Sequence, residues 1–218
     1  MAVRARRPAI DPILVINPNS SQRITAQILK AVGAEGVRVI ASQAGPPAIE
    51  SDQDVNDAVG PLLDTARKQA AAAVVVACFS DPGLDELRAE SAIPVFGIAE
   101  SALRRAVELG ERVGVMSSVA ASVPRHRRYW ARLGMQDEVV ADIPLGLGVL
   151  ELDTEEAYAR ACRVGGDLVA AGAEVVVLGC TGMSHMRARR EESLRVPVID
   201  PCTAAVDDAR RTVSEEAG

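Results

Sequence analysis

The chain contains an internal repeat of about half its length, and this repeat constrains the fold more than any other feature of the sequence. An apolar run at residues 13–17 (ILVIN) has a counterpart at residues 113–117 (VGVMS). The Val-rich runs at residues 73–78 (AVVVAC) and 174–180 (EVVVLGC) both end in a cysteine, and the two cysteines lie 102 positions apart. An Ile-Pro-Val run follows the first cysteine, and a Val-Pro-Val run follows the second at nearly the same distance. Two successive copies of one structural unit are therefore predicted.

The segments between these runs have the pattern of helices. Residues 20–32 carry apolar side chains at helical spacing, and residues 119–133 occupy the equivalent place in the second half. Residues 99–109 and 203–213 each follow one of the two Pro-Val runs. Each half then reads as strand and helix repeated four times. This order predicts an α/β fold with two pseudo-symmetric lobes, each a four-stranded parallel sheet flanked by helices.

Helix caps and composition agree with this fold class. Ser51 is followed by Asp54, and Asp153 by Glu156, and each pair predicts a capping box that opens the helix before a cysteine strand. Hydrophobic residues make up 48% of the chain but aromatic residues only 2%. The core must therefore be built from Ala, Val, Leu and Ile, which is typical of parallel strands covered by helices.

Cys78 and Cys180 are the candidate catalytic residues. Ligands of open α/β sheets bind beyond the carboxyl ends of the strands, and both cysteines stand at such ends. If the lobes face each other across that edge, the active site is the cleft between them, with the two thiols on opposite sides of one ligand. The loop and cap residues after each cysteine predict a helix entrance, where backbone N–H groups lower the thiol pKa. Either cysteine alone fits an ordinary buried strand, but the duplication favours a functional pair.

Two such thiols can invert a carbon centre. A thiolate on one face removes a proton while a thiol on the other face returns one, and the two groups exchange roles in the reverse direction. A neighbouring carbonyl must acidify the proton, and hydrogen-bond donors must hold the resulting enolate. Small polar residues at strand ends are the candidate donors: Asn17, Ser20, Ser117, Ser118 and Thr181. The same residues also fit turns and helix caps, and both interpretations stay open.

The other reactive residue types indicate no second site. Cys162 is predicted in mid-helix and Cys202 at a helix start, and we interpret both as structural. His126 and His185 have no ligand-like spacing to cysteine or carboxylate, so no metal site is expected. His185 follows the second cysteine loop, where an acid role is the alternative to an ordinary surface histidine. The GxGxxG, GxxxxGKS/T and GxSxG patterns of nucleotide sites and hydrolase elbows do not occur.

Charge and hydropathy disfavour several classes of partner. The formal net charge of -6 argues against nucleic acid, whose phosphates require a cationic surface. Arg4, Arg6 and Arg7 are the local exception, and we interpret them as a solvated tail. No apolar stretch reaches the roughly 18 residues of a membrane span, and the chain is long enough to need no disulfide framework. We therefore expect a cytoplasmic protein without a membrane or nucleic-acid partner.

At these positions the chain resembles the hydantoin racemases of the aspartate/glutamate racemase superfamily, and the resemblance runs nearly end to end. Its most specific block is Ala-Cys-Phe-Ser-Asp-Pro-Gly-Leu at residues 77–84, whereas Gly-Cys-Thr around Cys180 is typical of the wider superfamily. The other matching segments are Ile-Asn-Pro-Asn-Ser (16–20), Ile-Glu-Ser (49–51) followed by Asp54, Gly-Ile-Ala-Glu (97–100), Leu-Gly-Cys-Thr-Gly-Met (178–183) and Val-Ile-Asp-Pro (198–201).

The resemblance implies a racemase that uses neither pyridoxal phosphate nor a metal and inverts C5 of a small cyclic ureide, a 5-monosubstituted hydantoin such as allantoin. It implies that Cys78 and Cys180 alternate as base and acid. It also implies a homo-oligomer whose first lobe is residues 1–97 plus 200–218, with the last helix returning to it, and whose second lobe is residues 98–199. The substrate-binding residues that it suggests are Asn17, Pro18, Phe79, Ser80, Ser117, Ser118, Thr181 and Gly182.

Related activities are the alternatives to this hypothesis. Amino-acid racemases of the superfamily typically have Cys-Asn-Thr in the first half, where this chain has Phe79-Ser80 after the cysteine. Arylmalonate decarboxylases keep only the second cysteine, whereas maleate isomerases retain both. The family usually has threonine where this chain has Ser117-Ser118, and loss of a methyl there widens the pocket. A two-lobed binding protein that closes around a small polar ligand is the non-enzymatic alternative.

Overall fold

The computed structural model describes residues 11–216, which contain two separate sheets of four parallel strands each. The strands are β1 (Ile13–Asn17), β2 (Val37–Ala41), β3 (Ala73–Val76), β4 (Val95–Gly97), β5 (Val113–Ser117), β6 (Val139–Pro144), β7 (Val175–Leu178) and β8 (Val198–Ile199). The order is β2-β1-β3-β4 in one sheet and β6-β5-β7-β8 in the other. The predicted pair of four-stranded parallel sheets is therefore confirmed. Arg4, Arg6 and Arg7 lie outside the described residues.

Equivalent strands occupy equivalent places in the two sheets. The central strands β1, β3, β5 and β7 are buried along their whole lengths, because helices cover both faces of each sheet. Their Val-rich sequences fit this environment, since β-branched side chains pack well on a pleated surface covered on both sides. The carboxyl ends of β3 and β7, where the two cysteines follow, are thus the ends of central strands.

Eight helices connect and cover these strands within the described residues. They are α1 (Gln22–Val32), α2 (Asp52–Arg67), α3 (Leu84–Glu90), α4 (Ile98–Val107), α5 (Ser122–Leu133), α6 (Glu155–Ala170), α7 (Arg187–Leu194) and α8 (Pro201–Glu216). Short 3-10 helices occupy Val149–Glu151 and Thr181–Met186. Cys162 is exposed on α6, whereas Cys202 is buried in the first turn of α8.

One of the two predicted helix caps is confirmed and the other is wrong by one residue. Ser51 and Asp54 form a reciprocal capping box at the start of α2. At α6 the cap is Thr154 instead of Asp153, because the Thr154 hydroxyl accepts the Ala157 N–H at 3.1 Å. That hydroxyl also donates to the Glu151 carbonyl at 2.9 Å, which holds it in the capping position.

The largest of the three hydrophobic clusters among the described residues contains residues of both lobes. It includes Val15 and Ile24 from the first lobe together with Met116 and Leu178 from the second. The last helix, α8, packs against β1, β3 and β4 of the first sheet and also against α4. The lobe boundaries at residues 97 and 200 stay a prediction. Within residues 11–216, none of the helices has the length and apolar character needed to span a bilayer.

Candidate active site

A small cleft lies between the two lobes at the carboxyl ends of β3 and β7. Its empty volume is about 430 Å³, including the part that is open to solvent. Both lobes contribute to its lining, which consists of Asn19, Ile49, Ala77, Cys78, Phe79, Ser80, Ser118, Val119, Ser122, Arg125, His126, Val149, Gly179, Cys180 and Thr181. The structure therefore brings the two predicted cysteines together at one cleft.

Cys78 lies two residues beyond the end of β3 and is partly exposed to the cleft. Burial raises the pKa of the Cys78 thiol to about 12, and the proximity of Cys180 acts in the same direction. The backbone N–H of Ser80 and the positive charge of Arg125 oppose this rise. Because Cys180 contributes to the shift, the two thiols lie close enough to interact electrostatically.

Cys180 lies at the equivalent position beyond β7 and is 8% exposed. Burial raises the pKa of the Cys180 thiol to about 11. Three hydrogen-bond donors oppose this rise, namely the Gly182 N–H and the hydroxyls of Ser118 and Thr181. The expectation that a helix entrance lowers the thiol pKa values is therefore wrong in its net sign, because loss of water around the sulfur outweighs the donors.

Six of the ten predicted site residues line the cleft, and the loop after β1 departs from the prediction. Asn17 is fully buried, and its amide donates to Asn19 Oδ1 at 2.9 Å and to Thr25 Oγ1 at 3.0 Å. It holds the β1–α1 loop together, and Asn19 faces the cleft in its place. Pro18 is buried, and its carbonyl lies against Gly45, where an added Cβ would stand 2.2 Å away. Neither Asn17 nor Pro18 lines the cleft.

The other two departures are in the second lobe. Ser117 is fully buried and donates to Asp142, so its hydroxyl does not reach the cleft. Gly182 is also absent from the lining, and its N–H faces the Cys180 thiol. Gly182 was predicted to contact the ligand, but in the structure its N–H lowers the pKa of the Cys180 thiol instead.

Two lining residues that the sequence analysis did not propose come from one face of α5. Arg125 and His126 stand three and four residues after Ser122, which places all three on the side of the helix facing the cleft. Helical spacing shows that they share a face, but no local signal indicates that this face meets the cleft. His185 is partly exposed and 3.9 Å from Asp153, and it does not line the cleft.

Hydrogen bonds and an ion pair join the two lobes beside the cleft. Arg125 donates to Ser80 Oγ at 3.0 Å and to Asp52 at 2.8 Å. Glu50 Oε1 accepts the Val149 N–H at 2.7 Å. All three contacts connect a residue of the first lobe with a residue of the second lobe, so they stabilise the closed arrangement of the cleft.

The described residues offer no metal centre. Within residues 11–216, no group of three or more His, Cys, Asp or Glu side chains could hold a metal ion. The lining itself supplies two thiols, with hydroxyl and N–H donors nearby.

A family model described as Asp/Glu/Hydantoin racemase matches residues 13–209. The chain belongs to this family. Curated relatives include a hydantoin racemase from Rhizobium meliloti, 34% identical over 89% of this chain and 85% of that protein. Another, from Paenarthrobacter aurescens, is 34% identical over 93% of this chain and 91% of that protein. As a member of this racemase family, the protein is an enzyme of the isomerase class.

Solved structures of the family have the same architecture. An allantoin racemase from Klebsiella pneumoniae superposes with a TM-score of 0.86 at 31% identity, covering 94% of this chain and 89% of that chain. An arylmalonate decarboxylase, at 18% identity and a TM-score of 0.67, has the same fold. The non-enzymatic interpretation as a binding protein is thereby replaced by that of a racemase.

Proposed function

We propose that this racemase inverts C5 of 5-monosubstituted hydantoins, allantoin among them, by proton transfer between Cys78 and Cys180. The observation that carries the proposal is the position of the two thiols, which follow the central strands of different lobes and line one cleft. A substrate bound between the lobes would present one face of its C5 to each thiol. The named relatives, hydantoin and allantoin racemases, support the choice of a cyclic ureide.

Both thiols have neighbours that stabilise a thiolate. Cys180 has donors from Gly182, Ser118 and Thr181, whereas Cys78 has the Ser80 N–H and the charge of Arg125. The thiolate on one face of C5 removes the proton of one enantiomer, and the thiol on the other face returns a proton. In the reverse reaction the two cysteines exchange their roles as base and acid.

The hydroxyls near the sulfurs can also hold the enolate. Loss of the C5 proton places negative charge on the neighbouring carbonyl oxygen of the ring, and donors fixed in a partly dry cleft stabilise that charge. Ser118 and Thr181 come from the same edge of the second sheet as Cys180. Both then act on the intermediate as well as on the thiolate, and these proton transfers need no further group.

The charges of the lining favour a neutral substrate. Among the described residues, the lining contains one charged side chain, Arg125, and no carboxylate. A free amino acid would bring an ammonium group without a counter-ion, and maleate would bring two carboxylates for one guanidinium that already binds Asp52. A hydantoin carries no formal charge on its ring. The amino-acid racemase and maleate isomerase alternatives are therefore less favoured.

Racemisation in D2O tests the proposal directly. Circular dichroism follows the loss of optical activity of a 5-substituted hydantoin, and NMR follows deuterium entering at C5. Wild type should racemise the substrate, with deuterium in the inverted product. Cys78→Ser and Cys180→Ser should each lose inversion, and each should retain exchange on the one enantiomer whose proton the remaining thiol can reach.

Cys162→Ser is the matched control, because Cys162 lies on α6 and outside the cleft. It should racemise at the wild-type rate. Full inversion by the Cys78→Ser/Cys180→Ser double variant would exclude the two-thiol mechanism. Wild type that neither racemises nor exchanges any of several hydantoins, allantoin included, would exclude the substrate class and reopen the amino-acid and maleate alternatives.

A homo-oligomeric assembly and a cytoplasmic location belong to the same proposal. The assembly rests on the resemblance alone, and the location rests on the four cysteines being free in the structure. Sedimentation velocity checks the assembly, and a single species at the mass of one 22.9 kDa chain would contradict it. Cell fractionation checks the location.

A further inference from the structure

The imidazole of His126 is fixed at the wall of the cleft by contacts on three sides. Its Nδ1 lies 3.0 Å from Asp142 Oδ2, and Ser117 donates to the other oxygen of the same carboxylate. Phe79 meets the ring edge-on with centroids 5.3 Å apart, and Trp130 lies 5.6 Å away on another side. The residue is only 2% exposed. These contacts hold the ring of His126 in one orientation beside the cleft, as is typical of residues that bind a ligand.

These contacts determine what the second nitrogen of the ring can do. A carboxylate accepts hydrogen bonds, so the contact with Asp142 favours the tautomer in which Nδ1 carries the N–H and donates it. In that tautomer of the neutral imidazole the lone pair is on Nε2. Nε2 has no hydrogen-bond partner among residues 11–216. It is not among the sealed buried atoms without a partner, so its remaining solvent contact is through the cleft that His126 lines.

We propose that His126 is a substrate-binding residue whose Nε2 accepts a ring N–H of the hydantoin. This inference rests on the proposed function. A cyclic ureide ring of this kind has two N–H donors as well as two carbonyl acceptors, so its site needs acceptors. A buried Asp142 and the Ser117 hydroxyl then serve as positioning residues, since they act on the substrate through the histidine.

The rest of the lining is rich in donors and poor in free acceptors. Arg125 is a donor, and the hydroxyls of Ser118 and Thr181 face the Cys180 sulfur. The oxygen of the Asn19 side chain already accepts from Asn17 Nδ2 and from the Ser21 N–H, both at 2.9 Å. The Ser122 hydroxyl donates to the Val119 carbonyl and has an acceptor position left. The imidazole nitrogen is thus a side-chain acceptor of the lining without a competing hydrogen bond, and it is a stronger acceptor than a hydroxyl.

Two amide variants separate this role from a structural one. In His126→Asn the amide reaches the position of Nδ1 and can keep the bond to Asp142, but nothing replaces Nε2. In His126→Gln the amide oxygen reaches the position of Nε2, while the bond to Asp142 is lost. A binding role predicts that His126→Gln is the more active variant, whereas a purely structural role predicts the opposite order.

The measurement compares a 5-substituted hydantoin with its N1-methyl and N3-methyl derivatives. For wild type, methylation of the nitrogen that His126 contacts should lower kcat/KM by about tenfold or more, because it removes the donor. In His126→Asn the KM for the unmethylated substrate should rise by about tenfold, with a smaller change in kcat, and the penalty for methylation should nearly vanish. In His126→Gln the penalty should partly return.

His185→Asn is the matched control, because His185 lies outside the lining and should leave the methylation penalty unchanged. Thermal unfolding of each variant shows how much stability it loses, so that a loss of activity through unfolding is recognised. An active His126→Asn that keeps the wild-type KM and the full methylation penalty would overturn the role of His126 alone. Failure of wild type to act on any hydantoin would overturn this inference together with the proposed function.

Discussion

At the scale of single residues, burial determines how readily the two thiols of the cleft ionise. Burial raises the pKa values of Cys78 and Cys180 to about 12 and about 11, so at neutral pH both are mainly thiols. Below its pKa, the thiolate fraction of a thiol rises about tenfold per pH unit. The rate of proton removal should therefore rise with pH. The donors near each sulfur determine the pH range of this rise, because they lower the pKa of the thiol.

Ser118→Ala tests the contribution of one donor. Loss of this hydroxyl raises the pKa of Cys180 further, since Ser118 is one of three groups that lower it. The rising limb of kcat/KM against pH, and of the Cys180 alkylation rate, should shift to higher pH. Ser91→Ala is the control, because the Ser91 hydroxyl bonds only locally, to the carbonyl and the N–H of Ile93. Superimposable alkylation profiles for Ser118→Ala and wild type would show that the hydroxyl does not act on the thiol.

At the scale of elements, Asp81 connects the first cysteine loop with two helices of the second lobe. Its carboxylate accepts the Ala99 and Glu100 N–H groups at the start of α4, at 3.1 and 3.0 Å, and the Tyr129 hydroxyl of α5 at 2.7 Å. Burial raises the pKa of Asp81 to about 6, while these donors oppose the rise. The side chain is thus mainly ionised at neutral pH and can accept all three bonds.

Asp81→Asn should be strongly destabilising, because the new amide donor must face one of three groups that also donate. The free energy of unfolding should fall by about 2 kcal/mol, as measured by urea denaturation. Asp85→Asn, at an exposed position of α3, should change it by less than about 0.5 kcal/mol. Equal stabilities of the two variants would mean that the Asp81 bonds do not stabilise the fold.

At the scale of the whole molecule, the two lobes are held together by a shared core and by polar contacts at the cleft. Glu50 accepts the Val149 N–H, and Asp52 binds both Arg125 and Arg128 at 2.8 Å. The core contacts are buried, whereas the polar contacts involve Arg125 and Val149, which line the cleft. The strength of the polar contacts should therefore determine how often the cleft opens.

Glu50→Ala should increase opening of the cleft. Loss of a charge-assisted bond to the Val149 N–H makes alkylation of Cys78 roughly tenfold faster at a fixed pH. Cys78 is the suitable reporter, because Glu50 also raises the pKa of Cys180 and its removal alters that thiol directly. Asp64→Ala, which removes an exposed ion pair within the first lobe, is the control. An unchanged Cys78 rate in Glu50→Ala would mean that this contact does not limit opening.

The sequence by itself determined the elements, their order and the two cysteines. Strand and helix follow from local periodicity, so six of the eight strands and the parallel sheets were predicted, although Thr154 replaced Asp153 as a cap. The strands β2 and β6 were expected only from the repeated order of strand and helix. The cysteines were predictable because a parallel strand places the residues after its end at one edge of the sheet. Because the two halves repeat one unit, each half places a cysteine at the same edge of its sheet.

Only the tertiary structure decided which other side chains reach that cleft and how the thiols ionise. The inward face of α5, with Arg125 and His126, depends on how the second lobe packs against the first. Asn17 and Asn19 have similar sequence surroundings, yet one is enclosed by its own loop and the other faces the cleft. The thiol pKa values depend on burial by both lobes. These properties arise from contacts between residues distant in the chain, which local patterns do not record.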